Sequence, residues 1–457
     1  MKTTLSIKPH HTANSDPVLI VNGTVLDPAR NFQGPADVLL VEGKIAACDP
    51  GLAAQAPHAK RIDAAGCLVT PGLIDMHVHL RQPGQEHKET IATGAAAAVA
   101  GGFTTICCMP NTTPALDNDT QIEYVLTQAS RAGLCQVLPM GAITKGRQGA
   151  ELAEIMLMHE AGAIGFSDDG VGVASAAVMT KALQYIKMFD GLLSQHCEEP
   201  TLSGGSMHAG AAALRLGLGG LPAAAEELMI ARDLLLNRRI GARYHVQHVS
   251  TAGAVDLLRQ AKHRGESVTA EITPHHLLLT DDRCGGYDTS FKMNPPLRSR
   301  EDVQACIAGV IDGTLDCLAT DHAPHAPEEK QREFDQAPFG IVGLETALPL
   351  YARALIDPGH ITWLKLIELM SHRPAAILGL KDRGSLAVGC RADITVIDPA
   401  AEWQIDPTRF YSRSANTPFS GWQVCGQVRS TIVAGQVVFE NSGQTSGQAP
   451  GDRAARP

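Results

Sequence analysis

Eight short apolar runs, each followed by a segment of helical character, recur over about 300 residues of this chain, and that alternation restricts the fold more than any other feature. The runs are GLIDMHVHL from Gly72, TTICCMPN from Thr104, CQVLPMGAI from Cys135, AIGFSDDG from Ala163, LLSQHCEE from Leu192, RYHVQHVS from Arg243, VTAEITPHH from Val268 and DCLATDHAPH from Asp316. Between them ETIATGAAAAVAGG, ELAEIMLMHEAG, SAAVMTKALQYIKMF and AAAEELMIARDLLLNRR read as helices, and Asn118 with Gln121 three residues on marks a capped helix start. The pattern predicts an α/β fold, a (β/α)8 TIM-type barrel, in which the C-terminal ends of all strands open into one mouth. A doubly wound open sheet is the alternative. It is weakened because no early strand is followed by a Gly-x-Gly-x-x-Gly turn.

The flanks read differently. Residues 18–70 hold β-rich pieces, VLIVNGTVLD, ADVLLVEGKIAACD and CLVT, punctuated by Asn-Gly and Glu-Gly turn signals. Similar pieces return in residues 381–440 as ADITVIDP, WQVCGQVRSTIVAG and QVVFE. Neither set is long enough for a domain alone, so the two ends are expected to combine into a small β-sandwich domain beside a barrel over residues 71–380. Residues 1–17 are polar and without period, and residues 441–457 are rich in Gly, Ser and Pro; both are expected to be disordered tails. A chain of 457 residues accommodates one barrel of roughly 250 residues with a smaller companion.

Charge and cysteines narrow the function classes. Lys plus Arg is 38 against 48 for Asp plus Glu, a net charge of −10 with no basic cluster, which argues against nucleic acid or an anionic membrane as partner. No run approaches the roughly 20 apolar residues of a membrane span, and the N-terminus lacks the apolar core of a secretory signal, so a cytoplasmic protein is expected. The 11 cysteines follow no disulfide framework, which points to reduced core thiols.

The first run ends in His77-Val78-His79. Side chains alternate along a strand, so these two share a face about 7 Å apart along the backbone, near enough for both rings to reach one ion. Alternation assigns Asp75 to the same face. His196 ends the fifth run, His248 the sixth and Asp321 the eighth, while Asp168 and Asp169 end the fourth. In a barrel these ends converge. Imidazole with carboxylate is the donor set of Zn2+ and similar ions, and six such groups exceed one tetrahedral site, so two divalent ions roughly 3.5 to 4 Å apart are expected.

PGLIDMHVHLR, FTTICCMPNT, FSDDGVGV, QHCEE, VQHVSTAGAV, AEITPHHLLLT, KMNPPLRS, LATDHAPH and PFGIVGLET together resemble the bacterial class I dihydroorotase family of the amidohydrolase superfamily, from about Val18 to Glu440. HVHLR, MNPPLR and DHAPH, in that order and spacing, are the most specific parts. The resemblance implies reversible hydrolysis of (S)-dihydroorotate to N-carbamoyl-L-aspartate, ring closure being the direction of pyrimidine biosynthesis. It implies that His77 and His79 hold one Zn2+ with Asp321 and that His196 and His248 hold the other. Many amidohydrolases bridge the two ions through a carboxylated lysine on the fourth strand. Here that strand offers Ser167-Asp168-Asp169-Gly170, and the resemblance assigns Asp169 as the bridge, leaving Asp168 a turn or supporting residue. Asp321 then serves as general base and afterwards as general acid. Dihydroorotate carries a carboxylate, the usual partner of a forked guanidinium, and Arg81 lies two residues beyond His79. By resemblance Asn111, Asn294 and His325 complete the carboxylate and ring contacts, and the backbone at Phe339 and Gly340 meets the ring imide. The implied partners are the small-molecule substrate, a second copy in a homodimer, and aspartate transcarbamoylase as a docking partner.

Three other readings compete. A hydantoin- or allantoin-cleaving cyclic amidase predicts a lysine bridge and has no need of Arg81. A non-catalytic subunit scaffolding aspartate transcarbamoylase would have lost the ligands, and all are present here. A nucleotide-binding oxidoreductase fails on the missing glycine fingerprint. His275 and His276 are not needed to complete the ligand set and read as core or supporting histidines. His322 points away from the ions by alternation.

Overall fold

The computed structural model describes residues 16–441; residues 1–15 and 442–457, which hold nearly all of the two expected tails, lie outside the described residues. The eight apolar runs form strands β1 (Leu73–Val78), β2 (Phe103–Cys108), β3 (Gln136–Gly141), β4 (Gly165–Phe166), β5 (Leu192–Gln195), β6 (Arg243–Val246), β7 (Val268–Ile272) and β8 (Cys317–Leu318). Each pairs in parallel with the next in chain order. The ring closes where Val78 bridges His322, just past β8, and the His79 N–H donates to the His322 carbonyl at 2.8 Å. Strands buried on both faces need unbroken apolar runs, which is why β1 and β2 are buried at every position.

The interior is packed, not hollow. Ile74 and Met76 of β1 meet Cys107, Leu138, Met140, Leu192 and Cys317, and Ala375, Ile377 and Leu378 join them from the helix Arg373–Leu378. That helix plugs the N-terminal end, where Arg243 at the start of β6 donates to the Ile377 carbonyl. Chemistry is left to the opposite mouth.

The outer helices include Ile91–Ala100, Asp119–Ala132, Ala176–Lys187 and Ala223–Ile240. Asn118 caps the second of these, its side chain accepting from the Gln121 N–H at 3.1 Å. Two helices carried a cap signal that the reading of hydrophobic period passed over. Ala252–His263 starts at Thr251, and Arg300–Ile311 starts with a Ser299/Asp302 capping box.

Both chain ends build the flanking β structure. In a six-stranded sheet the spatial order is Gln436–Glu440, Gln423–Val433, Ile394–Gln404, Leu68–Pro71, Thr24–Asp27 and Phe32–Pro35. A four-stranded sheet holds Lys44–Asp49, Asp37–Val41, Val18–Val21 and Lys60–Asp63. Val18, Ile20, Val38 and Leu40 pack against Val25, Val69, Ile394 and Ile432 to make a sandwich. VLIVNGTVLD therefore divides between the sheets, breaking at Asn22, which takes a φ of 64°, and at Gly23, where a Cβ would overlap Val69. All eleven cysteines are free thiols, and among the described residues no helix is long and apolar enough to cross a membrane.

One loop contact near the mouth is sterically exacting. Gly84, at φ 92°, lies against the Thr113 carbonyl and so ties the loop after β1 to the loop after β2. A methyl there would both overlap that carbonyl and sit on a left-handed backbone. Gly84→Ala should cost about 2–4 kcal/mol of stability, read from the midpoint of urea unfolding. Gly66, at φ 76° with open space around it, is the control for backbone strain alone. An equal loss in Gly66→Ala would refute the overlap.

Candidate metal centre

The six expected ligands come from the ends of five strands and meet in one buried cluster. Asp169, just past β4, stands at its centre. Its Oδ1 lies 3.2 Å from His77 Nε2 and 3.8 Å from both His196 Nδ1 and His248 Nε2, and its Oδ2 lies 3.5 Å from His79 Nε2. Asp321 Oδ1 is 2.9 Å from His79 Nε2 and 3.6 Å from His77 Nε2. His196 Nδ1 and His248 Nε2 face each other at 2.9 Å.

Strand alternation alone does not produce this cluster. Ile74 and Met76 already point inward, and a register irregularity between Asp75 and Val78 turns His77 to the same side. Asp75, assigned to that face by alternation, instead accepts from the backbone N–H groups of His77 at 3.0 Å and Thr320 at 3.2 Å. Three residues of the mouth hold left-handed backbones that non-glycine residues seldom adopt: Arg81 at φ 59°, His248 at 30° and Asp321 at 48°. These kinks end the strands and swing the side chains into the opening.

A second layer fixes the imidazoles. Glu271 Oε1 lies 2.6 Å from His77 Nδ1, and its Oε2 lies 3.2 Å from His245 Nε2. With its Nδ1–H given to Glu271, His77 turns the Nε2 lone pair toward the cluster. Asn111 Oδ1 lies 2.8 Å from His79 Nδ1 while its Nδ2 donates to Asp169 Oδ2 at 3.3 Å. Glu198 Oε2 lies 3.3 Å from His196 Nε2 and accepts from Asn294 Nδ2 at 2.6 Å. Sequence reasoning missed Glu271 and Glu198. Two signals pointed to them: an acid inside the apolar run VTAEI, and another two residues past His196.

Charge is balanced by contact. Burial would push the Asp169 carboxyl up, but His77, His248 and His79 hold it well below the usual carboxylate range. Asp321 is likewise held low against its burial by His77 and His79. Glu271 falls to about 2, His77 and His245 outweighing its burial.

Asp168 turns away from the cluster. It accepts from the N–H groups of Ile143 at 2.8 Å and Thr144 at 3.0 Å, and so anchors the loop after β3. His322 Nδ1 accepts from the Gly343 N–H at 3.1 Å. His275 and His276 are buried on Thr273, at 2.8 and 2.7 Å, outside the cluster.

Arg81 is buried beside the cluster. Its Nε donates to the Pro324 carbonyl at 3.2 Å, its outer nitrogen lies 3.4 Å from His325 Nε2, and among the described residues no carboxylate forms an ion pair with it. Burial lowers its pKa to about 10. His325 Nε2 lies 2.8 Å from the Phe339 carbonyl, and Gly340, at φ 121°, packs on Ala323 and His325. Arg81, His325, Phe339 and Gly340 therefore form one wall of the mouth, with Asn111 and Asn294 bonded to the cluster itself.

The residues fit a metal centre. His77 Nε2 and Asp169 Oδ1 are fully buried with no hydrogen-bond partner among the described residues, as is His248 Nδ1, an arrangement costly to leave unmatched. His77, Asp169 and His248 have ligand atoms within 4.8 Å of one another, and so do His77, His79 and Asp321. In a third buried set, His245, Glu271 and Cys317, Glu271 is already bonded to His245 and to His77.

Comparison with known proteins gives the family. A family profile described as Dihydro-orotase-like matches residues 66–254, and one described as Amidohydrolase family matches residues 316–439. A dihydroorotase of Anaeromyxobacter sp. strain K is 51% identical over 430 residues, covering 93% of this chain and 98% of that protein. One of Pelotomaculum thermopropionicum is 51% identical over 425 residues, with 93% and 99% covered. Among solved structures, the L-hydantoinase of Arthrobacter aurescens superimposes with a TM-score of 0.84 at 28% identity, over 93% of this chain and 96% of that one. The chain belongs to the dihydroorotase family of metal-dependent cyclic amidohydrolases.

Proposed function

We propose that the chain catalyses the reversible hydrolysis of (S)-dihydroorotate to N-carbamoyl-L-aspartate, and that it works with two Zn2+ ions. The observation that carries the choice of substrate is the buried Arg81 guanidinium, which stands beside the His/Asp cluster and, among the described residues, touches no carboxylate. The acids Asp321, Asp169, Glu329 and Glu89 favour its charge from a distance, and a substrate carboxylate supplies the direct contact that none of them makes.

His77, His79 and Asp321 would hold one ion and His196 and His248 the other, with Asp169 between them. When bound, such ions supply Lewis-acid polarisation and a lowered water pKa. The protein's own groups do the rest. Arg81, with Asn111, Asn294 and His325, grips the carboxylate and ring; Asn111 uses one amide hydrogen on Asp169 and keeps a second for the substrate. The backbone of Phe339 and Gly340 meets the imide edge. Asp321 takes the proton from the attacking water and hands it to the departing ring nitrogen, acting first as base and then as acid. In the closing direction the carbamoyl nitrogen attacks a protonated side-chain carboxyl, so closure gains as pH falls. The resemblance to the family also supports a homodimer, a cytoplasmic setting, a role in pyrimidine biosynthesis and docking on aspartate transcarbamoylase.

The structural likeness to hydantoinases makes a hydantoin the rival substrate. Metal analysis of the purified chain, with turnover of dihydroorotate, hydantoin and allantoin before and after chelation, decides between them. About two zinc ions per chain are expected, with dihydroorotate the preferred substrate and activity lost on chelation and regained on adding the metal. Faster turnover of hydantoin or allantoin would overturn the assignment.

A further inference from the structure

The connection between Ile394–Gln404 and Gln423–Val433 of the six-stranded sheet leaves the β structure and crosses the barrel mouth as a strap. Its anchors are numerous. Glu345 accepts from the N–H groups of Tyr411 at 2.9 Å and Ser412 at 3.1 Å, and Ser414 Oγ donates to the Lys88 carbonyl at 2.8 Å. Phe419 packs in an apolar cluster with Met293, Leu297 and Ile341.

At the inner end of the strap, buried Asn416 spends its whole side chain on the mouth. Oδ1 accepts from the His325 N–H at 3.1 Å. Nδ2 donates to the Ala323 carbonyl at 3.1 Å and to the Gly340 carbonyl at 3.0 Å. Its own carbonyl accepts from the Val342 N–H at 3.0 Å. One amide thus joins the loop after β8, which carries His325, to the loop that carries Phe339 and Gly340. These are the two backbones that share a wall of the mouth with Arg81, and the neutral amide matches them in the only sense available, one acceptor to an N–H and two donors to carbonyls. Gly340, at φ 121°, has the conformational freedom of a glycine, and an outside hold keeps its carbonyl in one orientation.

We propose that Asn416 is a positioning residue of the substrate subsite, setting His325 and the Phe339–Gly340 backbone to the spacing that the substrate requires. The inference rests on the dihydroorotate reading above. It makes the C-terminal β segment a working part of the mouth and not only a flank.

Asn416→Ala and the isosteric Asn416→Asp test it, the second serving if the first does not fold. The aspartate keeps the acceptor for His325 but sets oxygen against two carbonyls. In both, KM for dihydroorotate should rise about tenfold or more, with kcat within about threefold of the parent and metal content unchanged, since a lost buried hydrogen bond in ground-state binding has that size. Ser414→Ala loosens the strap away from the subsite and should lower thermal stability without raising KM. A wild-type chain inert toward dihydroorotate overturns the functional reading and this inference with it. An active wild type whose KM is unchanged in the Asn416 variants, or whose KM rises as much in Ser414→Ala, overturns the inference alone.

Discussion

Asp321→Asn is expected to reduce turnover of dihydroorotate about 10³-fold or more in both directions while leaving the chain folded and able to take up metal. Positioned acid–base catalysis contributes roughly 10²–10⁴-fold, and one carboxylate is asked to serve both half-reactions. The amide is isosteric and keeps an oxygen facing His79 Nε2, 2.9 Å away, but it cannot accept and return a proton at pH 7. The backbone makes this the clean substitution. Asp321 sits at φ 48°, and asparagine is among the few residues that tolerate this region, so folding should be spared where Asp321→Ala would add strain. Steady-state rates and zinc content of the same preparation are the measurement. Near-parental kcat in Asp321→Asn would remove the proposed base; loss of both ions together with activity would show that its role is only to hold metal.

The barrel could be read from the chain because each of its strands is a run buried on both faces, and burial on both faces leaves a signal in composition that needs no knowledge of neighbours. His77, His79, His196, His248 and Asp321 were visible for the same reason, as ionisable side chains at the ends of apolar runs. Their facing was not. Period-two alternation assigned Asp75 to the ion face, and it fails at the register irregularity between Asp75 and Val78. The left-handed turns at Arg81, His248 and Asp321 are nearly as silent in sequence, since His and Asp adopt a positive φ more often than most residues but still only as a minority, and Arg has no such bias. The contacts made by the strap hide for a further reason. Asn416 meets His325 across 91 positions and Ser412 meets Glu89 across 323, so only the closed fold brings each pair together. Glu271 hid differently, as a lone acid in an otherwise apolar strand, a residue that local reasoning treats as an exception until His77 is seen 2.6 Å away.

Arg81→Ala is expected to raise KM for dihydroorotate about 10²-fold with little change in zinc content, because hydrogen bonds to a charged partner contribute roughly 1.5–3 kcal/mol and the guanidinium fork makes more than one. Arg81→Lys should recover little of this, since a point charge on a flexible stem lacks the fork and its reach into the wall of Pro324 and His325. Position 81 carries a φ of 59°, a strain that the parent arginine already bears and alanine keeps, so Arg81→Ala removes the guanidinium with the backbone cost unchanged. Arg81→Gly relieves that strain, since glycine accepts the left-handed backbone freely, and if the guanidinium is the cause, the two variants should share the same raised KM whatever their difference in stability. The substrate supplies the remaining control. Hydantoin has the cyclic amide without the carboxylate, so any basal hydrolysis of it should change far less in these variants, and the ratio of kcat/KM for the two substrates should collapse toward hydantoin. If both substrates fall in parallel, Arg81 serves the reacting centre in general, and the preference for a carboxylate must be sought in Asn111, Asn294 and His325 instead.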